Sequence, residues 1–401
     1  MSNGSGTEAS QRGTSVTDQV HGIAKLAFAH LVNDIYAPVL IALQPVLITT
    51  LGYSYFQAAL LPVIHSLISS LLQPVFGSLA DRKGIRVSIS ISLLLSGCGI
   101  ALLGQLSDYY LVMLGCVAIS GLGHATFHPG ALCKVDAIAA SGSRGRLTSI
   151  FTVGGNLGMA LGPIIAGIML AYGGIPAVTW LVIPAVIAAL VLLVRPIPDT
   201  CPLADKKVGY GKENWKPVII LFGGSTLRAW VTFGAMTFLP TFLVLIGYPI
   251  LEATMLVSVM LLAGVAGQLV GGALSDRFGR KPVVVLTTFA AIPAFAAILF
   301  TQGSLLILSI ITFGFLLWSS FAVTISMAHE LVPTQIGLIS GLFMGIAMGA
   351  GGIGVSISGI IADRFGLFAA LATFPVLILV SAVLFLMVAY PPEKDQDRGT
   401  A

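Results

Sequence analysis

Residues 77–86 read Gly-Ser-Leu-Ala-Asp-Arg-Lys-Gly-Ile-Arg, and residues 272–281 read Gly-Ala-Leu-Ser-Asp-Arg-Phe-Gly-Arg-Lys. A shift of 195 positions carries Gly77, Leu79, Asp81, Arg82 and Gly84 onto Gly272, Leu274, Asp276, Arg277 and Gly279, and Arg86 onto Lys281. Each copy is a charged island between long apolar runs, about half a chain apart. One Gly-x-x-x-Asp-Arg-x-Gly is a weak signal. Two in register imply a duplicated architecture with the same turn at the same edge of each half.

The runs around these islands are apolar enough to cross a lipid bilayer. Of 401 residues, 56% are hydrophobic and only 9% charged, where soluble domains carry about a quarter charged residues. Mean hydropathy is +0.99. Twelve helical spans of roughly 20 apolar residues or more are predicted: 22–50, 55–80, 85–104, 109–138, 147–171 and 175–195, then 217–246, 252–274, 282–300, 304–332, 337–360 and 367–390. The expected fold is therefore an all-α membrane protein with two six-helix bundles, 21–195 and 217–390. A polar linker at 196–216 joins them, and polar tails at 1–20 and 391–401 flank them. The first tail lacks the short apolar core of a cleavable signal peptide. Forty-six glycines suit closely packed membrane helices.

Lys and Arg set the orientation. With both termini in the cytoplasm, that side collects Arg82, Lys83, Arg86, Arg144, Arg146, the basic linker and Arg277, Arg280 and Lys281, while only Arg364 falls in an outer loop. The basic residues are dispersed, so the net charge of +4 points to a membrane and not to nucleic acid. Three of the four cysteines sit in apolar runs and one in the basic linker, so no disulfide framework is expected. Gly359, Asp363, Arg364 and Gly366 repeat the motif spacing three spans after its second copy and on the opposite side, with 167–174 a decayed counterpart. Such inverted three-helix repeats build many secondary transporters.

Ionisable residues inside the spans are the functional candidates. His30 and Asp34 are four residues apart on span 1, hence on one face, with Asn33 beside them. Asp34 lies roughly 15 Å from the cytoplasmic end. Such a carboxyl either carries protons through a transport cycle or is stapled to a cation. Arg228 on span 7 is its natural partner, because the 195-residue shift carries Asn33 onto it. A buried guanidinium also suits a carboxylate or phosphonate. The expectation is a competition in which Asp34 pairs with Arg228 until an anionic substrate displaces it. On span 4, His124 and His128 share a face ahead of Pro129. They suit a proton relay, a substrate contact or hydrogen bonds to carbonyls freed by the kink. Two such imidazoles could hold a metal, but no carboxylate or thiolate faces them at a convincing spacing, so no metal or cofactor is expected. His65 reads as a satisfied packing histidine. On span 5, Gly154, Gly155, Asn156, Gly158, Gly162, Pro163 and Gly167 form a flat ridge with a bend.

Twelve spans, the basic linker and the paired loops resemble the major facilitator superfamily over the chain from about residue 20. Ala-His-Leu-Val-Asn-Asp at 29–34, Gly-Leu-Gly-His-Ala-Thr-Phe-His-Pro-Gly at 121–130 and Gly-Gly-Asn-Leu-Gly-Met-Ala-Leu-Gly-Pro at 154–163 narrow it. Together these are similar to the fosmidomycin-resistance family of proton-linked efflux carriers. The resemblance implies a central cavity lined by spans 1, 4, 7 and 10. Facing such a cavity, Asp34, His30, His124 and His128 are the residues expected to couple protons, and Arg228, Asn33 and His128 those expected to contact substrate. The resemblance also makes Gly77, Asp81, Arg82, Gly84, Arg86, Gly272, Asp276, Arg277 and Gly279 a conformational latch. The span 5 glycines resemble a motif associated with exporters, with Ala166 replacing one glycine. The implied protein is a monomeric carrier in the cytoplasmic membrane that exchanges protons for a small polar or anionic compound. Uptake of an organic anion, or a sensor on the same fold, is the alternative. No paired catalytic groups or phosphate loop point to an enzyme.

Overall fold

A lipid interior offers backbone N–H and C=O groups no partners, so chains this apolar cross it as helices that satisfy their own hydrogen bonds. The computed structural model describes residues 16–83, 87–138, 144–197, 215–332, 339 and 341–390, excepting the side chains of 16–18, 81–83, 136, 144–146, 148, 149, 341, 344 and 348. Spans 1 to 5 are Val16–Thr49, Tyr55–Lys83, Ile89–Leu106, Tyr110–Ile138 and Arg144–Gly173. Span 6 joins a 3₁₀ turn, Ile175–Leu181, to Val182–Val194. Spans 7 to 9 are Trp215–Leu245, Ile250–Phe278 and Arg280–Phe300. Span 10 breaks at Ser320 into Gly303–Ser319 and Phe321–Leu331, and span 12 breaks into Leu367–Ala372 and Phe374–Met387. Span 11 opens with a π turn, Gly341–Ile346, and runs on as Ala347–Phe365.

Among the described residues, eleven of these spans are long and apolar enough to cross a membrane by themselves. Span 11 is the twelfth of the sequence pattern, and its start adjoins residues outside the described set. Cys98 and Cys116 are free thiols, whereas Cys133 is disulfide-bonded, a single bridge and not a framework among the described residues.

One apolar core unites spans 1 to 6 around Tyr36, Leu40, Phe127 and Phe151. A second gathers the second half around Phe238, Phe295, Phe313 and Phe374, and takes in Ile41, Ala59, Val63 and Ala160 from the first half. Those four residues lie in the parts of spans 1, 2 and 5 remote from the end where the chain starts. The halves therefore join on the far side. There the third motif copy is engaged. The Asp363 carboxylate accepts the backbone N–H of Tyr55 at 2.6 Å and of Phe56 at 3.0 Å, the first turn of span 2. A carboxylate at a helix N-terminus also meets the positive end of the helix dipole. Gly359 permits the approach, since a Cβ there would stand 2.9 Å from Phe56 Cα. At the opposite end, a Cβ on Gly77 or Gly272 would meet nothing within 4 Å.

The last glycine of the motif has its own reason. Gly279 has φ 89 and ψ 147, and Gly366 has φ 86 and ψ 156. That region is open essentially to glycine alone, and it turns the chain from one span directly into the next.

Removing Asp363 should loosen the far-side junction. Hydrogen bonds to a charged group contribute about 1.5–3 kcal/mol when buried, and less at this exposed position. A cysteine introduced at the buried Ala59 should react with an impermeant maleimide roughly tenfold faster in Asp363→Ala, which corresponds to about 1.4 kcal/mol. An unchanged rate would show that the apolar contacts alone hold the junction.

Candidate functional site

Span 1 places its polar residues at mid-depth, where two neighbours leave room for them. Span 5 presents Gly155, at which a Cβ would lie 2.4 Å from His30 Nε2 and 2.8 Å from Asp34 Oδ2. Span 3 is drawn tight against span 4 by Gly123, whose added Cβ would lie 2.4 Å from Ser96 N. Into this gap point His30, Asn33 and Asp34, which are 7%, 0% and 6% exposed.

The hydrogen bonds fix roles. His30 Nδ1 lies 2.8 Å from the carbonyl oxygen of Phe151. A carbonyl can only accept, so Nδ1 carries the hydrogen. His30 Nε2 then faces Asp34 Oδ2 at 3.1 Å. Two lone pairs do not approach that closely without repulsion, so the pair must share one proton, on the imidazole or on the carboxyl. The ring is held for this by stacking on Phe151, centroid to centroid 4.0 Å. Asn33 Nδ2 donates to Asp34 Oδ1 at 3.0 Å and to His124 Nδ1 at 2.9 Å, while its Oδ1 accepts from Ser96 Oγ at 2.9 Å. His124 Nδ1 and His128 Nε2 each lie 3.9 Å from Asp34 Oδ1.

Two expectations change here. A carboxylate does face His124 and His128, because spans 1 and 4 cross with their polar turns opposed. His65 is not a satisfied packing residue either. Its ring lies 5.4 Å from His124 and its Nε2 is buried without a hydrogen-bond partner, as is His128 Nδ1. Three histidines therefore face one carboxylate, and His65 packs against one of them, His124. His65, Ser96 and Phe151 escape sequence reasoning because their spans bring them together only in three dimensions.

Arg228 is 4% exposed, and its partners are neutral. It donates to Ser320 Oγ at 2.7 Å and to Thr324 Oγ1 at 3.1 Å, with the rings of Phe321 and Phe385 at 5.6 and 5.8 Å. The hydroxyl hydrogens of Ser320 and Thr324 go to backbone carbonyls of Leu317 and Phe321, which leaves their lone pairs for the guanidinium. The expected Asp34–Arg228 pair is not formed among the described residues. The reason is directional: Asp34 turns towards span 4 and Arg228 towards span 10, the equivalent neighbour in the second half. Arg228 thus keeps a buried positive charge and three unused N–H donors, with no described carboxylate in salt-bridge reach.

The family model for the Major Facilitator Superfamily matches residues 26–352 and 246–401. The chain belongs to the major facilitator superfamily. It is 30% identical to the fosmidomycin resistance protein of Escherichia coli (strain K12) over 85% of this chain and 86% of that one. It is 31% identical to the MFS-type transporter YfnC of Bacillus subtilis (strain 168), over 90% and 91%. Among solved structures, a bacterial homolog of the human lysosomal transporter Spinster, inward-facing and occupied, superposes with TM-score 0.81 at 17% identity, covering 94% of this chain and 97% of that one. The inward-open xylose transporter XylE of E. coli superposes with TM-score 0.73 at 14% identity, covering 94% and 98%.

As a major facilitator transporter, the protein is an integral membrane protein, and its family members and structural neighbours transport rather than catalyse. The first copy of the motif expected to form a latch lies mostly outside the described residues: the side chains of Asp81 and Arg82, and all of Gly84 and Arg86. In the second copy, Asp276 pairs with Arg280 at 3.4 Å and Arg277 lies over Phe278 at 5.2 Å, contacts within the second half. Arg280 also pairs with Glu330 at 2.6 Å, and Glu330 accepts from Tyr390 Oη. Span 5 lays its ridge along span 1: a Cβ on Gly154, Gly158 or Gly162 would strike the carbonyl oxygens of Ala27, Leu31 or Ile35 at 2.3, 2.2 and 2.7 Å. Gly167 faces Thr254 across the halves. Asn156 is half-buried on this helix, and Pro163 lies inside it.

Because the obstacle at Gly158 is backbone, no rotamer relieves it. Gly158→Ala should lower stability in detergent by about 1–3 kcal/mol, read as a fall in melting temperature. Gly77→Ala, which meets open space, should leave it unchanged. Equal melting of the two variants would refute the close packing of spans 1 and 5.

Proposed function

We propose that this transporter is a proton-coupled exporter of a small polar or anionic compound of the fosmidomycin type, working as a monomer by alternating access. The observation that carries this reading is the pair of buried polar centres on equivalent helices. Asp34 with its histidines faces span 4, and Arg228, without a counter-ion, faces span 10. The first can gain or lose a proton within the cavity walls. The second attracts a negative group and cannot be relieved of its own charge at physiological pH. The name of the E. coli relative and the ridge on span 5 favour export.

In this reading the halves, 21–195 and 217–390, rock about the far-side junction, with both termini in the cytoplasm of a cytoplasmic-membrane protein. From the cytoplasm an anion reaches Arg228 while the His30–Asp34 pair gives up its proton. The two lone pairs at 3.1 Å then repel, which biases span 1 against its neighbours. Once the carrier opens outward, a proton enters the pair and the anion leaves. The latch loops at 77–86 and 272–281 close the cytoplasmic side in that state.

Inside-out vesicles with an acid interior test this. Fosmidomycin or another organic anion from a panel should collapse the gradient in vesicles holding the protein and not in empty ones. Anion accumulation only with the opposite gradient would establish uptake instead. No response to any compound would remove proton coupling from the reading.

A further inference from the structure

Two i, i+4 pairs meet inside the first half, His30 with Asp34 on span 1 and His124 with His128 on span 4. His30, Asp34 and His128 each offer one ligand atom, and the three atoms lie within 4.8 Å of one another. His30 Nε2 lies 3.1 Å from Asp34 Oδ2, and His128 Nε2 lies 3.9 Å from the other oxygen, Oδ1. Zinc–nitrogen bonds of about 2.0–2.1 Å in a tetrahedral site put ligand atoms about 3.3 Å apart. The His30 contact is already close to that spacing, and His128 reaches it by moving inward.

We propose that His30 Nε2, the Asp34 carboxylate and His128 Nε2 bind a divalent ion of the zinc class in a four-coordinate site. A water supplies the fourth ligand, since the free lone pair of His124 is taken by the Asn33 amide. Three features beyond the cluster itself point to ligation. His30 donates its Nδ1 hydrogen to the Phe151 carbonyl at 2.8 Å, the arrangement that orients metal-binding histidines and leaves Nε2 as the ligand. Asp34 is supported in turn by the Asn33 amide at 3.0 Å. His128 Nδ1 is a buried nitrogen with no hydrogen-bond partner among the described residues. The donor set is rich in imidazole, which selects zinc, cobalt or nickel over the hard cations calcium and magnesium. Gly155 provides the space, because a methyl group there would occupy it.

Ligation needs only this geometry and holds whether or not the carrier is proton-coupled. One consequence does rest on the transport reading: a bound ion takes the place of the proton that His30 and Asp34 share, and zinc would then arrest the cycle.

The test uses the full-length protein in detergent, with any affinity tag removed and after treatment with a chelator. Titration with Co(II) should give one equivalent bound, with the intense visible bands of four-coordinate cobalt, and Zn(II) should bleach them. His128→Ala should weaken binding by more than the roughly 10–100-fold that loss of an outer-shell partner causes. Gly155→Ala, which keeps every ligand, should weaken it too. Wild-type protein that takes up no stoichiometric Co(II) would overturn the proposal without any variant, and so would binding that persists unchanged in both variants. Proton flux in a protein that binds no cobalt would leave the transport reading standing alone. Cobalt binding without flux would do the reverse.

Discussion

In Asp34→Asn, gradient-driven transport should fall to the level of empty vesicles, while exchange of labelled for unlabelled cargo across the same membrane survives. The asymmetry is the informative part. Asparagine keeps the size of aspartate and can still meet His30 and Asn33, so the packing of spans 1, 4 and 5 is retained. It cannot take up a proton. His30 Nδ1 is committed to the Phe151 carbonyl at 2.8 Å, so the only exchangeable proton of the pair lies between Nε2 and Asp34. With an amide N–H fixed there instead, the pair never reaches the unprotonated, repelling state that separates the two conformations in the proposed cycle. Cargo binding and exchange at Arg228, as proposed, need no such step. His30→Ala should be more damaging to stability than Asp34→Asn, because it leaves a buried carboxylate unpaired. If Asp34→Asn still accumulates cargo against its gradient, the carboxyl is a staple, and His65, His124 and His128 become the titrating groups to test. If it loses both modes together, the defect is in folding or cargo binding, and coupling through Asp34 is unsupported.

The sequence reveals most of the architecture because the lipid leaves it little choice. Apolar runs of sufficient length become helices, and a motif repeated 195 residues apart marks equivalent turns. The third copy at 359–366 was legible as spacing, and its task followed once the halves were assembled: Asp363 meets the start of span 2 because inverted repeats place it there. Helix periodicity also joined His30 to Asp34 and His124 to His128, since both pairs are four residues apart. Which helices face each other is a different question, and spacing along one helix does not answer it. Spacing therefore matches Asp34 with Arg228, the equivalent of its neighbour Asn33, whereas Asp34 faces span 4 and Arg228 faces span 10, each within its own half. The same limit hid His65, which reads as an isolated histidine until span 2 is laid against span 4. Breaks at Ser320 and at the π turn Gly341–Ile346 also went unread, having no proline to announce them.

Arg228→Met should abolish transport of anionic cargo while leaving the protein folded, with Arg228→Lys recovering only part of it. Arg228 is buried among Ser320, Thr324, Phe321 and Phe385, and two of its five donors are occupied. A charge in that setting is costly unless something negative completes it, and no described carboxylate does. In the proposed function, the cargo anion brings the missing charge. Truncating one partner of a buried, hydrogen-bonded charge pair weakens binding by about 2–5 kcal/mol, which is roughly a 30-fold to several-thousand-fold rise in the dissociation constant. Methionine fills much of the space between the two phenyl rings and removes the buried charge, so the melting temperature should hold or rise. Lysine restores the charge but presents a point rather than a fork, and it cannot reach Ser320 and Thr324 with two separate donors. Binding of the purified protein to a cargo anion, followed by calorimetry in detergent, separates these outcomes from effects on coupling. Equal affinity in wild type and Arg228→Met would show that the guanidinium is a structural tie between spans 7 and 10. A drop in stability without a drop in affinity would say the same. A loss confined to anionic compounds, with neutral ones unaffected, would fix Arg228 as the group that selects the cargo's charge.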